Sequence, residues 1–141
     1  MDEDVVNITV DMLDANWNAS NIVKPGIIAA IEDHKRLDLG NKDAIVVYDT
    51  GPAMRERGDI FYCTEDLNSF VSIDIRTVID KTRLEALWTE VNRIRILKRK
   101  APHVDWQTLY QIGRIPRIDK SVGLWRYIVE WRYLARKVLL L

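Results

Sequence analysis

Within SFVSIDIRTVIDKTRLEALW (Ser69–Trp88), the triplet Asp74-Ile75-Arg76 lies on an alternating segment, and Gly58-Asp59 precedes it. Two carboxylates followed by a cation approach the arrangement of a metal-dependent nuclease. In such sites carboxylates hold one or two Mg²⁺ ions and a lysine positions the attacking water. Asp59 and Asp74 are the candidate ligands. Arg76 stands where lysine is wanted, and its planar, permanently charged guanidinium is a poor substitute. The same residues have a plainer explanation. Val71, Ile73 and Ile75 alternate with Ser72, Asp74 and Arg76, the period of a strand buried on one face. The polar set is then an outward face for solvent or a neighbouring subunit.

Other chemistry has less to stand on. His34 and His103 are the two histidines, far apart and without metal-ligand spacing. Cys63 lies in the apolar run Ile60–Cys63, where an inert thiol is the simpler reading than a nucleophile. No nucleophile elbow and no glycine-rich phosphate loop is present. No metal or cofactor is expected. The basic stretch Arg93, Arg95, Lys98, Arg99 and Lys100 is the best candidate for phosphate contact. Arg93 and Lys100 are two helical turns apart and share a face. The alternative is a solvated helix end whose cations complement the helix dipole.

The elements that would position these residues follow from patterning. Val5, Ile8, Met12, Leu13 and Trp17 suggest an N-terminal helix over about 5–17. NASNIVKPG breaks it. Ile27–Arg36 fits a helix or a strand. Ala44–Asp49 is a β-branched run of strand length, ended by Gly51-Pro52. MRERGD reads as a polar connection, Ile60–Cys63 as a further strand and TEDLNS as punctuation. After the strand 69–77, Asp80 is a candidate N-cap for a long amphipathic helix over 80–99, carrying Leu84, Leu87, Trp88, Val91 and Ile94. Pro102 lies beyond its end. DWQTLYQI reads as a short helix or turn, and GRIPRIDKSVG as a loop.

The last segment alternates strictly. Trp125, Tyr127, Val129, Trp131 and Tyr133 oppose Leu124, Arg126, Ile128, Glu130, Arg132 and Leu134, which predicts a long strand over 124–135. Both of its faces carry apolar residues, so both require cover. Arg126, Glu130 and Arg132 join Ser72, Asp74 and Arg76 as candidate contacts with a subunit or partner. The terminal VLLL adds apolar residues that also suit an interface.

Length and composition bound the class. The chain has 141 residues, 48% hydrophobic and 30% charged, which suits one folded domain over 1–141. It reads as an N-terminal helical segment (1–20) and a core (44–135). Lysine plus arginine balance aspartate plus glutamate at 21 each, so no global charge excess points to nucleic acid. One cysteine excludes an intramolecular disulfide. No signal-peptide pattern and no apolar run of membrane-spanning length is present, so no membrane partner is expected. The expected fold is α+β: a mostly antiparallel sheet whose apolar face is covered by the helix over 80–99.

Taken in order, AIVVYDTGPA (Ala44–Ala53), SFVSIDIRT (Ser69–Thr77), DKTRLEALWTEVNRIRIL (Asp80–Leu97) and RIDKSVGLWRYIVEWRY (Arg117–Tyr133) resemble the tail terminator and tail-completion neck proteins of long-tailed bacterial and archaeal viruses. The resemblance covers about two thirds of the chain and rests on fold signatures. It implies a hexameric ring that caps the tail tube and joins it to the head connector, within a virion assembled in the host cytoplasm. Its partners would be further copies of itself, the tail tube protein and the head connector protein. Arg93, Arg95, Lys98, Arg99 and Lys100 would then be candidates to line the lumen and touch passing DNA non-specifically. No catalytic residues are implied. The alternatives are the nuclease using Asp59 and Asp74, and a small nucleic-acid-binding module.

Overall fold

A computed structural model describes residues 4–18, 24–30, 43–49, 54–57, 64–119 and 123–138. The elements are α1 (Val5–Asn16), β1 (Gly26–Ala30), β2 (Asp43–Asp49), β3 (Met54–Arg57), β4 (Thr64–Thr77), α2 (Lys81–Leu97), β5 (Lys100–His103), β6 (Trp106–Asp119) and β7 (Leu124–Val138). Seven strands form one sheet in the order β1-β2-β4-β7-β6-β5, with β3 also paired to β4. The class is α+β. The sheet is mixed, because β1 runs parallel to β2 while the other pairs are antiparallel.

The centre is the β4–β7 ladder, in unbroken register from Thr64 opposite Val138 to Thr77 opposite Trp125. Alternation gives it two faces. On one, Leu67, Val71, Ile73 and Ile75 of β4 meet Tyr127, Val129, Trp131, Tyr133 and Ala135 of β7 in the hydrophobic core. Both helices pack there. α1 contributes Val5, Ile8, Met12 and Leu13, and α2 contributes Leu84, Leu87, Val91 and Ile94. Thr9 and Tyr133 join their hydroxyls at 2.7 Å inside this layer. Burial raises the Tyr133 phenol well above its ordinary range.

Local chemistry sets the helix ends. Asp4 caps α1, accepting from the Asn7 backbone N–H at 3.2 Å. Asp80 caps α2, accepting from the Arg83 N–H at 2.8 Å. α2 stops at Leu97 rather than 99, and the Lys98 N–H closes its last turn on Ile94 O at 3.0 Å. Its stripe is less cleanly amphipathic than expected. Glu90 is buried within it, while Ile96 and Leu97 are exposed. The helix also shares with α1 the task of covering the sheet.

Several segments differ from expectation. Trp106–Asp119, expected as a short helix or turn followed by a loop, is the long strand β6. A register shift between Gln111 and Gly113 inverts its alternation, which hides the strand period. Leu109 points its N–H away from β7, toward Arg99 O at 3.0 Å. After the bulge, the N–H positions pointing away fall at 114, 116 and 118, so Pro116 removes no bond to β7. The supposed connection holds β3, and the TEDLNS punctuation opens β4. Gly26–Ala30 settles as a strand. The expected strand Ile60–Cys63, Gly51-Pro52, His34 and Leu139–Leu141 lie outside the described residues.

Two substitutions test this packing in urea denaturation. Leu87→Ala removes a fully buried side chain between α2 and the sheet and is expected to cost about 2–5 kcal/mol. Ala101 holds a left-handed φ of 48°. Ala101→Gly relieves it and is expected to leave stability unchanged or raised by up to about 1 kcal/mol.

Candidate functional site

The Asp74 carboxylate is fully buried on the sheet face opposite the helices. Its neighbour Arg76 donates to Oδ2 from Nε at 2.9 Å and from Nη2 at 2.6 Å. Arg126 reaches it from β7, donating to Oδ1 at 3.1 Å and Oδ2 at 2.6 Å. The ladder explains the meeting. Arg126 lies directly opposite Arg76, so it sits diagonally across from Asp74, within reach of a long side chain. One carboxylate thus serves two guanidinium groups. The Asp74 hydrogen bonds hold the Arg126 guanidinium even more firmly charged than usual, against the opposing effect of burial.

This geometry corrects the outward reading of the polar face. Ser72 and Arg76 are buried with Asp74 within the chain itself, and Arg126 crosses from β7 to pair with the Asp74 carboxylate. Both Asp74 oxygens face arginine where a nuclease would place its metal. Asp59 lies outside the described residues. Among the described residues no group of three or more His, Cys, Asp or Glu is placed to hold a metal ion. Arg126, Glu130 and Arg132 remain partly accessible on the same face. Arg132 stacks over the Tyr110 ring at 4.8 Å. Beside them Tyr110 and Ile115 of β6 are each 41% exposed, and Ile112 at the bulge is 52% exposed, apolar surface in a stretch whose pattern suggests no strand.

The basic residues from the last turns of α2 to the start of β5 separate into two groups. Arg93 pairs with the buried Glu90 and donates to Asn16 O at 2.6 Å, which ties α2 to the end of α1. Its role is internal. Arg95 reaches only the Asn92 side-chain oxygen, at 3.3 Å, and Arg99 reaches Ile96 O at 2.7 Å. Partial burial lowers the Arg95 pKa from its ordinary value, and the neighbouring charge of Arg99 lowers it further. Among the described residues Arg95, Lys98, Arg99 and Lys100 have no carboxylate within ion-pair distance. Elsewhere Lys24 pairs with Asp14, Arg83 with Asp43, Arg114 with Glu85 and Arg136 with Asp66.

Lys98 also borders a cleft of about 290 Å³ between α1 and the corner after α2, with Asn7, Ile8, Asp11, Met12, Asn16, Pro102 and His103 as its other walls. No local pattern announces it, since its walls come from three separate elements. A second cluster was equally hidden. Arg114 lies over Trp88 at 5.0 Å and Tyr127 at 4.4 Å, while the Tyr127 hydroxyl donates to Glu85. Burial first, and the Glu85 carboxylate second, raise the Tyr127 pKa. Only the sheet register reveals this cluster.

No family model matches the chain, and no curated protein matches it. Solved structures do. One is a chain from "Virion of native gene transfer agent (GTA) particle", 13% identical with a TM-score of 0.62, over 92% of this chain and 92% of that one. At this identity the likeness is one of fold. Among the described residues no helix is long and apolar enough to cross a membrane.

Removing Asp74 leaves two arginines without their buried counter-charge. Asp74→Ala is expected to cost about 3–5 kcal/mol in urea denaturation. Arg99→Ala, which breaks no ion pair among the described residues, is expected to stay within about 0.5 kcal/mol of the parent. An Asp74→Ala protein of parental stability would contradict the assigned role.

Proposed function

We propose that the chain is a structural virion protein of the tail-neck region. It forms a ring, hexameric by the resemblance noted above, that caps the tail tube and meets the head connector. It reaches the virion by assembly in the host cytoplasm. The observation that carries this reading is the shared fold with a virion chain across nearly the whole length of both. The order of motifs from Ala44 to Tyr133 points the same way independently.

Surface chemistry supports the reading. A ring built head to tail needs two unlike adhesive patches on each subunit. Tyr110, Ile112 and Ile115 on β6, with Arg126, Glu130 and Arg132 beside them on β7, supply one candidate. The 93%-exposed Val104, in the turn between β5 and β6, marks another. The nuclease alternative loses its metal position to Arg76 and Arg126. The nucleic-acid alternative retains Arg95, Lys98, Arg99 and Lys100 but loses Arg93, which Glu90 and Asn16 occupy.

Capping is directly measurable. Added to polymerising tail tube protein from the same genome, the chain is expected to shorten the tubes and to appear at one end in electron micrographs. A doubly substituted Ile112→Glu, Ile115→Glu chain is expected to fold, by its urea transition, yet to lose this effect. Tubes that grow equally long with and without the chain would contradict capping. Mg²⁺-dependent DNA cleavage abolished by Asp74→Asn would favour the nuclease instead.

A further inference from the structure

The cleft beside α1 is polar on its walls and apolar on its floor. Ile8 and Met12 of α1 are each 7% exposed there, and Pro102 completes the apolar part. Lys98 and His103 also line it. The His103 Nδ1 accepts from the Asp105 backbone N–H at 3.1 Å, so the neutral ring carries its proton on Nε2 and has a donor to offer. Asn7 and Asn16 have their side-chain amides engaged with Asp4 and with Met12 O. Asp11 is the acidic group of the lining.

Lys98 and Asp11 are the opposite charges of the lining, the Asp105 carboxylate stands 3.8 Å from His103 Nδ1, and further cations lie next to Lys98 along the chain. Arg95, Arg99 and Lys100 flank Lys98 in sequence, and none of the four has a carboxylate partner among the described residues. Partial burial, and then the nearby Arg99 charge, already disfavour the charged form of Arg95. An opposing anionic partner would relieve that repulsion. The neighbouring Ile96 and Leu97, 42% and 56% exposed, have no use in a contact with phosphates alone. They suit a partner that is acidic and apolar together.

We propose that this cleft docks an acidic, partly apolar segment of a partner protein. A carboxylate of that segment faces Lys98 and the His103 Nε2–H, and an apolar side chain rests on Ile8, Met12 and Pro102. Asp11, on the lining, fixes the orientation by accepting from a donor of the segment and rejecting a second carboxylate. A DNA duplex is the poorer fit, because a charged rod cannot send an apolar group onto the floor between α1 and Pro102. The proposal stands apart from the ring: a monomer could bind such a segment equally well.

The test uses three labelled probes in fluorescence anisotropy: a twelve-residue peptide alternating Glu and Leu, the same peptide with Gln for Glu, and a twenty-base-pair DNA. The Glu-Leu peptide is expected to bind the parent chain more tightly than either other probe. Its binding should weaken at least tenfold in Lys98→Glu, weaken in Met12→Asn and stay unchanged in Arg114→Ala, each variant first checked for a parental urea transition. If Lys98→Glu does not fold, Lys98→Ala with Arg99→Ala replaces it, with the same expectation. No binding of the Glu-Leu peptide, equal binding by the Lys98 variant, or DNA binding tighter than peptide binding would each overturn the proposal.

Discussion

The structure depends on the β4–β7 ladder. It is the longest pairing in the sheet, and every other part is placed by it. β2 and β3 add to β4, and β6 adds to β7. Because side chains alternate along a strand, fixing this register assigns each residue to a face, and a shift by one position would invert both faces at once. The aromatic rings of β7 and the aliphatic residues of β4 then share one surface, large enough for two helices. The polar residues of both strands share the other.

That second surface shows why residue types alone misdirect. An aspartate two positions before a cation resembles a metal site when the strand is read singly. In the sheet the same aspartate meets a second arginine from the facing strand, and the buried carboxylate neutralises part of a guanidinium pair. Buried charge is tolerated when its hydrogen bonds are filled, and removing one partner is the costly change. The cluster therefore braces the ladder. The buried charges of this face are matched, as are surface pairs such as Lys24 with Asp14 and Arg136 with Asp66. Among the described residues, a run of cations without ion-pair partners, Arg95, Lys98, Arg99 and Lys100, lies at the far end of α2, beside exposed aliphatic residues and an open cleft.

Much of this was legible in the sequence, and the remainder failed for identifiable reasons. β7 announced itself through strict alternation of rings. Asp80 and the spacing of Leu84, Leu87, Val91 and Ile94 located α2, and Val5, Ile8, Met12 and Leu13 located α1. β6 stayed hidden because its bulge breaks the period and Gly113 and Pro116 mimic loop chemistry. β3 is four residues of mostly polar composition. The parallel pairing of β1 with β2 is a tertiary fact that no local pattern encodes. The pairing of Asp74 with Arg126, 52 positions away, needed the register. The cleft needed three elements brought together. Arg93 was grouped with the free cations because helical spacing cannot reveal that Glu90 turns inward.

The central claim is that this chain is a ring subunit of a virion neck, and its assembly state addresses that most directly. Native mass spectrometry over a range of concentrations, alone and with tail tube protein, reports closed assemblies. The account predicts a discrete species of about six times the 16.5 kDa subunit, alone or on the end of the tube. A chain that remains a monomer at the highest concentration and in the presence of the tube protein would contradict it.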